Sequence, residues 1–311
     1  MSEELRELKE NQIVDLAAII PVSKMAGRLQ NLEKWVYQEE VKEIQIIFVH
    51  DIQDKETSSE LRRIVSKLPN AEVIEDRFGG PGAARNVGLD LVNAGWVTFW
   101  DSDDIPEVAE VRKMIKKASE FGQEIAVGGF NVKSINSEVE VASHLILNLG
   151  AGALFDQIGM NPGLWRWVFR KDAINETRFM PFRMAEDQCF LFDLRLNVGD
   201  IYVHNKSVYT YFVGDSLQLT RNPKAISDLL KSVPYLLNSL RKADTSLRNF
   251  GALLVTRQAI TALRRGSLIT KIRMIIEIIG MLPSIFINKR IAFSRAIRLL
   301  VKSRRPLVNE K

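Results

Sequence analysis

Cysteine is almost absent from this sequence. Its 311 residues include only Cys189, so no disulfide can form within the chain. This composition suits a reducing compartment. No secretory leader is expected either, because Met1 to Gln12 is polar and mixed in charge. We therefore expect a cytoplasmic protein.

Long apolar runs are also missing. No uninterrupted run approaches the ~20 residues that span a bilayer, and the stretch from Ser267 to Ile287 is broken by charges and by Pro283. The three histidines, His50, His144 and His204, lack the spacing of a metal cluster. These absences argue against a membrane-spanning chain and against a histidine-based metal centre.

Acidic residues are scarce in the last part of the chain. From Arg241 to Lys311 there are 16 Lys+Arg and 3 Asp+Glu, a net of +13, whereas the remainder carries a net of −8. Such asymmetry predicts two parts with different partners. We expect a catalytic domain over residues 1–222 and a basic helical extension over 223–311. Nucleic acid is disfavoured as a partner, because few aromatic residues interleave with the basic ones.

The first hundred residues alternate between apolar, β-branched runs and helical patterns. Strands are predicted near 16–20, 44–49, 71–74 and 96–100, with helices between them. This alternation predicts an α/β fold with a mostly parallel twisted sheet and helices on both faces. Further strands are expected over 124–141, a helix over 184–198, two short strands over 201–213, and only helices after Asn222.

Ligands of such sheets bind beyond the carboxyl ends of the strands. The fourth predicted strand runs directly into Asp101-Ser102-Asp103-Asp104. A turn there would let Asp101 and Asp103 converge on one hard divalent cation, which takes oxygen ligands and substrate phosphates. The alternative interpretation is an acidic turn that caps the following helix.

Two more segments follow predicted strands. Asp51 ends the second strand, where a carboxylate can accept a hydrogen bond from a nucleobase; a turn aspartate is the alternative. Gly79-Gly80-Pro81-Gly82 precedes a helix that carries Arg85. Glycines there permit close backbone approach, and a helix N-terminus favours anions.

A fourth acidic segment is Glu186-Asp187, at the start of a predicted helix. Carboxylates at this position often stabilise the helix N-terminus. The functional interpretation of Asp187 is a general base that accepts a proton from an acceptor hydroxyl. The sequence leaves both interpretations open.

In this order, these segments resemble the inverting glycosyltransferases of family two, which have the GT-A fold. Ile19-Ile20-Pro21-Val22 matches the family's first-strand turn, Asp101 to Asp104 its D-x-D-D motif, and Gly80 to Gly88 echoes its N-x-G-x-x-x-A-R-N-x-G stretch. Around Asp51 the family's D-D-G-S-like stretch is only partly kept. Phe212 stands where the family often has arginine. The resemblance covers roughly Leu16 to Ser216.

The resemblance implies a metal-dependent enzyme of bacterial surface-polysaccharide synthesis that transfers a sugar, with inversion, from a nucleotide-sugar donor such as a UDP-sugar. A nucleotide-binding half is expected over 14–105 and an acceptor half over 106–222. By resemblance Asp187 is the catalytic base, and Asp103 with Asp101 holds Mn²⁺ or Mg²⁺. The implied donor contacts are Pro21, Val22, Asp51, Arg85, Asp101 and Ser102. The implied contacts of a glycan or lipid-linked acceptor are Trp165, Trp167 and Glu186, with core packing as the alternative for at least one tryptophan.

The basic extension contains one clear amphipathic pattern over Ile291 to Arg305. Its apolar residues share one helical face, and its arginines lie on the other. Such a helix can lie on an anionic membrane, which would place the protein at the inner face of the cell membrane. The alternative is a helix packed on the catalytic domain.

Two other functions are compatible with parts of the pattern. A nucleotidyltransferase also binds a metal and a nucleotide on an α/β sheet, but the glycine-rich loop usual after its first strand is replaced by Pro21-Val22-Ser23-Lys24. A non-catalytic binding protein of the same family is disfavoured because Asp101, Asp103 and Asp187 are all present.

Overall fold

A computed structural model describes residues 15–52, 55–135, 139–146, 151–214, 222–288 and 290–302. They form two compact units that interleave along the chain. Unit 1 comprises the described residues of Met1–Ile146, Trp165–Glu176 and Asp200–Gly214; unit 2 comprises those of Leu147–Leu164, Thr177–Gly199 and Asp215–Lys311. This division differs from the expected boundary at 222, because residues of 151–164 and 177–199 group with the C-terminal helices.

Unit 1 is built on one sheet. Its strands are β1 (Leu16–Val22), β2 (Ile44–Asp51), β3 (Ala71–Asp76), β4 (Trp96–Phe99), β5 (Ile105–Pro106), β6 (Ile125–Ser134), β7 (Glu140–His144), β8 (Trp167–Arg170) and β9 (Ile201–Val213). Their order is β3-β2-β1-β4-β8-β6-β9-β5, and β7 pairs with β6. The strands β3, β2, β1 and β4 are mutually parallel, as predicted. By contrast, β8 runs antiparallel to both β4 and β6.

The segment 201–213 departs from the prediction of two short strands. It forms the single strand β9, which pairs with β6 from Ile125↔Ile201 to Ser134↔Val213 through two register shifts. Bulges of this kind let one strand bend and continue, which a sequence pattern records as an interruption.

The helices divide between the units. Unit 1 contains α1 (Gln30–Val36), α2 (Lys55–Val65), α3 (Pro81–Asp90), α4 (Val108–Glu120) and α6 (Lys171–Ile174); unit 2 contains α5 (Ala151–Met160), α7 (Glu186–Asp193), α8 (Pro223–Ile226), α9 (Leu229–Ser239), α10 (Thr245–Arg265), α11 (Leu268–Asn288) and α12 (Arg290–Lys302). The described residues after Asn222 are thus mainly helical, as predicted.

Helices cover both faces of the unit 1 sheet. Ala18 and Ile20 of β1 point to one face, where they join a core cluster that includes residues of α1, α2 and α4. Ile19 points to the opposite face, where α3 packs so closely that a Cβ on Gly88 would collide with the Ile19 side chain. The close approach therefore requires glycine at position 88.

Unit 2 is helical and is organised around α10. Leu253 of α10 clusters with Ala296 and Leu300 of α12, and Gly159 of α5 gives room to the same leucine. Arg295 Nη2 of α12 lies 2.5 Å from Asp156 Oδ2 of α5. Among the described residues, no helix combines the length and apolarity needed to cross a bilayer.

Candidate functional site

The candidate donor residues of unit 1 lie where parallel strands end. β1 ends in Pro21 and Val22, which pair with Val49 and His50 of β2, and Asp51 ends β2. On the other side of β1, β4 runs in the same direction, and Asp101 follows it after Trp100. Because parallel strands share their carboxyl edge, the structure places Pro21, Val22, Asp51 and Asp101 along one edge of the sheet.

The turn from Asp101 to Asp104 is held by side chains from distant parts of unit 1. Arg85 of α3 donates from Nη2 to Asp101 Oδ1 at 3.0 Å, although only 6% of the arginine is exposed. The Tyr209 hydroxyl accepts the Asp101 backbone N–H at 3.0 Å, and Asn31 Nδ2 donates to the Asp103 carbonyl at 2.7 Å. The turn therefore has a fixed backbone before any ligand arrives.

The carboxylates of this turn are not equivalent. Asp104 is fully buried, and its Oδ1 accepts the Phe212 backbone N–H at 2.7 Å. Burial raises the pKa of Asp104 well above its usual value, and the charges of Asp103 and Asp101 raise it further, while the Phe212 N–H opposes them. Asp101 and Asp103 remain partly exposed. Asp104 thus anchors the turn to β9 and leaves the other two carboxylates for binding.

Asp101 and Asp103 fit a hard cation as partial ligands only. Within the described ranges, no group of three or more His, Cys, Asp or Glu side chains forms a complete cage of protein ligands. Mg²⁺ is commonly bound through one or two carboxylates plus substrate phosphates rather than by an all-protein cage. Two partly exposed carboxylates on one turn are a donor set of that kind.

The other donor candidates occupy the same sheet edge with limited exposure. Asp51 is 9% exposed, and its Oδ1 accepts the Phe78 backbone N–H at 3.2 Å. Ser102 is buried between the two candidate metal ligands. His50 is fully buried, with Nδ1 3.1 Å from Glu75 Oε1, so its position accords with a structural role.

The two candidate acceptor tryptophans differ sharply. Trp165 is partly exposed and stacks on Tyr209, with ring centroids 4.5 Å apart. Since the Tyr209 hydroxyl contacts the Asp101 N–H, Trp165 is one aromatic ring removed from the acidic turn. Trp167 has 0% exposure and stacks on Phe169 within the sheet. Its acceptor assignment is therefore corrected to core packing, because a fully enclosed indole has no face for a ligand.

Unit 2 carries the candidate base. Glu186 and Asp187 form the first turn of α7, with Glu186 buried and Asp187 partly exposed. The preceding Ala185 has a left-handed backbone with φ 68°, which costs a non-glycine residue about 1–3 kcal/mol and is common at functional sites. Asp187 Oδ1 accepts the Gln188 N–H at 2.8 Å. The helix ends at Asp193, short of the predicted Val198.

A residue of α10 that sequence analysis did not select lies in the electrostatic field of Asp187. Burial lowers the pKa of Arg257, and the Asp187 charge opposes that shift. Arg257 also donates to the Met160 carbonyl. The neighbouring Gln258 Nε2 donates to Gln188 Oε1 at 3.0 Å, which ties α10 to the helix that carries Asp187.

Sequence analysis also missed Asn31 and the hydroxyl role of Tyr209. Tyr209 is one of several aromatic residues of β9, and Asn31 carries no motif at all. For Arg257 a signal exists: it is the one charged residue in the mostly apolar stretch from Phe250 to Ala262. Residues that act by supporting others from distant segments have no spacing rule, so their roles require the tertiary structure.

Comparisons with known proteins agree with this geometry. The chain is 26% identical over 212 residues to glycosyltransferase GlyA of Streptococcus pneumoniae, which covers 63% of this chain and 30% of GlyA. It is 27% identical over 207 residues to the succinoglycan biosynthesis protein ExoO of Rhizobium meliloti, which covers 62% of this chain and 55% of ExoO. The chain thus spans about a third to a half of the length of these curated relatives.

Solved structures share the fold. Staphylococcus aureus TarS residues 1–349 in complex with UDP-GlcNAc superposes with a TM-score of 0.60 at 17% identity, over 91% of this chain and 79% of that one. The mannosyltransferase PcManGT of Pyrobaculum calidifontis in complex with GDP-Man and Mn²⁺ gives a TM-score of 0.53 at 14% identity, over 96% and 88%. These neighbours confirm the predicted GT-A fold.

The family assignment rests on a match over a long stretch of the chain rather than on single motifs. The family model described as glycosyl transferase family 2 matches residues 18–192, which is more than half of the chain. That range contains the acidic turn, Arg85, Asp51 and Asp187. The chain therefore belongs to glycosyl transferase family 2.

Proposed function

We propose that this glycosyltransferase moves a sugar from a nucleotide-diphosphate donor, with UDP as the nucleotide, to an acceptor hydroxyl with inversion at the anomeric carbon. One observation carries the proposal: the acidic turn at the carboxyl end of β4 is fixed in place by hydrogen bonds with Arg85, Tyr209 and Asn31. TarS, which shares the fold, is known in complex with UDP and with UDP-GlcNAc.

Each donor contact follows from a group on this edge. Asp51 is suited to accept a hydrogen bond from a base N–H, and Pro21 and Val22 would border the nucleoside. Arg85, already paired with Asp101, would balance the negative charge that the diphosphate brings. These assignments combine the family resemblance with the positions of the residues on the sheet edge.

Asp103, with Asp101, would hold Mn²⁺ or Mg²⁺ together with the donor phosphates. A divalent cation at this position supplies the charge that the leaving diphosphate needs as its bond to the sugar breaks. The Mn²⁺ complex of PcManGT supports a metal in this fold. Proton removal from the acceptor is assigned to a side chain of the protein.

Asp187 is the proposed general base. Its carboxylate would take the proton of the acceptor hydroxyl while the oxygen forms a bond to the anomeric carbon. The bond from that carbon to the phosphate oxygen breaks at the same time, and the nucleoside diphosphate leaves with its electron pair.

The proposed acceptor is a glycan or a lipid-linked sugar of bacterial surface-polysaccharide synthesis. The role of ExoO in succinoglycan biosynthesis supports this class. The partly exposed ring of Trp165 would suit a sugar ring, and Glu186 lies next to the base in the chain. A lipid-linked acceptor would require the C-terminal helices to bring the enzyme to an anionic membrane surface from the cytoplasm.

A donor panel tests the proposal. The chain is incubated with UDP-, GDP- and dTDP-sugars, with Mn²⁺, with Mg²⁺ or with EDTA, and thermal stabilisation and donor hydrolysis are measured. We expect metal-dependent stabilisation by a UDP-sugar. The control variant Asp172→Asn, on the exposed start of α6, should respond like the wild type. Metal-independent binding of every donor would refute the proposal, and pyrophosphate release from a nucleoside triphosphate and a sugar phosphate would favour a nucleotidyltransferase.

A further inference from the structure

The outward side of α11 carries an unusual set of exposed apolar residues. Six isoleucine or leucine side chains are between 47% and 73% exposed. We call them the α11 ridge: Leu268, Ile269, Ile272, Ile275, Ile276 and Ile279. Single exposed leucines are ordinary, but a contiguous apolar surface of this kind usually marks a binding face.

The ridge is one continuous face of the helix. Its members recur at intervals of three, four and seven residues, which places them in an arc of roughly a third of the helix circumference. The opposite face is anchored in unit 2, because Thr270 is 3% exposed and Met274 is fully buried. The helix is thus fixed by its inner side, and its outer side is presented as a rigid apolar strip about 16 Å long.

The charges around the ridge are of one sign. In the described stretch 264–280, each exposed charged residue is an arginine: Arg264, Arg265 and Arg273. The partly buried Glu277 lies away from the ridge, nearer the anchored face. An apolar strip edged by exposed cations is the pattern of a helix that lies in the interface of an anionic membrane.

The neighbouring helix α12 does not offer such a face. Sequence analysis selected Ile291 to Arg305 for membrane contact, but Ala296 and Leu300 of this helix pack against Leu253 of α10. Only Ile297 and Val301 of its described apolar residues are strongly exposed. Much of the apolar face of α12 is therefore used within unit 2.

We propose that the α11 ridge docks the enzyme on an anionic membrane surface, with the helix parallel to the bilayer plane. This deepens the proposed membrane role of the C-terminal helices and names the contacting face. The apolar side chains would enter the boundary between headgroups and acyl chains, and Arg264, Arg265 and Arg273 would meet lipid phosphates.

Two features favour lipid over a protein partner. The ridge contains only leucine and isoleucine, whereas the centres of protein interfaces are enriched in aromatic residues and methionine. A second copy of the chain docked ridge to ridge would also bring the arginines of both copies together, and like charges across an interface are unfavourable. An acyl boundary needs no directional partner, and anionic headgroups complement the arginines.

Vesicle binding tests the inference without any donor or acceptor. Full-length protein is sedimented with vesicles of phosphatidylcholine alone or with added phosphatidylglycerol. We expect binding to the anionic vesicles that weakens as salt is added. Ile272→Asp/Ile276→Asp should lower the partition coefficient at least about tenfold, because two charged side chains would replace apolar side chains that enter the lipid. Ile269→Ser/Ile279→Ser is a milder second variant that should weaken binding in the same direction.

Val139→Asp/Val141→Asp is the matched control, since these residues of unit 1 are 61% and 63% exposed and should leave vesicle binding unchanged. Wild-type binding by both ridge variants, or no binding by the wild-type protein, would overturn the inference. A wild-type dimer that the ridge variants convert to monomer, without vesicle binding, would assign the ridge to a second copy instead. Thermal stabilisation by UDP, measured separately, tells a failed donor assignment from a failed membrane assignment.

Discussion

The two candidate sites of this protein are built in different ways. In unit 1, Asp101 follows a buried parallel strand, and its turn is fixed by hydrogen bonds with the side chains of Arg85, Tyr209 and Asn31. In unit 2, Asp187 is the second residue of a short helix that follows the left-handed Ala185, and it lies in the field of Arg257. In unit 1 the sheet itself positions the acidic turn. In unit 2 the candidate base follows a strained residue, and its helix is tied to α10 by a side-chain hydrogen bond.

The comparison extends to the backbone. At position 88 in unit 1, glycine is the residue that the packing demands, because a Cβ would meet Ile19. At position 185 in unit 2, alanine occupies a conformation that glycine adopts more easily. The residue at position 88 thus suits its surroundings, whereas the backbone of Ala185, beside the proposed base, is strained. Substitutions in each region can break or sharpen this contrast.

The largest effect is expected at the proposed base. Asp187→Asn removes the proton acceptor and keeps the shape of the side chain, so we expect sugar transfer to fall by about 10²–10⁴-fold. Thermal stabilisation by the donor should persist, because the donor groups lie on the sheet edge. Near-normal turnover of this variant, compared with the surface control Asp172→Asn, would remove Asp187 from the mechanism.

The next effect separates the acidic turn from the base. Asp103→Ala takes away a proposed metal ligand, so donor affinity measured with Mn²⁺ should fall by at least about tenfold. With EDTA present, the variant and the wild type should bind the donor equally weakly. An unchanged affinity with Mn²⁺ would contradict the proposed metal contact, whatever the fate of Asp187.

A smaller effect tests the packing of unit 1. Gly88→Ala forces α3 away from the stiff Ile19 side chain, and overpacking of this kind lowers the free energy of unfolding by about 1–3 kcal/mol. Gly280→Ala is the control, because among the described residues, its own helix backbone and chain neighbours aside, no atom lies within 4 Å of its added Cβ. Thermal and urea unfolding measure both variants, and equal stability of the two would show that the close approach of α3 is dispensable.

The smallest effect tests the strain in unit 2. Ala185→Gly should raise the free energy of unfolding by up to about 1 kcal/mol, because glycine accepts the left-handed backbone without steric cost. A shift of melting temperature in the opposite direction to that of Gly88→Ala is the expected result. A destabilised Ala185→Gly protein would mean that Ala185 is not strained in the folded chain.

Much of unit 1 followed from the sequence. Parallel strands that are covered on both faces appear as apolar, β-branched runs, so the positions of β1 to β4 and of the residues that end them were predictable. The hydrogen bond between Arg85 and Asp101 was not predictable, because the two residues lie on different segments and their spacing along the chain does not indicate a contact. The burial of Trp167 was open for the same reason, since an aromatic residue in a strand faces either the core or a ligand.

Unit 2 was less predictable. The sequence indicated helices after Asn222 but not which faces they bury, because packing partners decide this and they lie far apart in the chain. Hence membrane contact was expected for Ile291 to Arg305, on α12, where Ala296 and Leu300 in fact pack inward, and not for α11. Residues 177–199 were likewise expected in the acceptor half of the catalytic domain. In the structure they group with the helices of unit 2.

The sequence by itself indicated the positions of the first four strands, the acidic turn after β4 and the family to which the chain belongs, because each depends on residues that are neighbours along the chain. Only the tertiary structure decided that Asp104 is an anchor, that Trp167 is core and that α11 presents an apolar side. Those outcomes depend on burial, and burial is set by contacts between segments that share no local pattern.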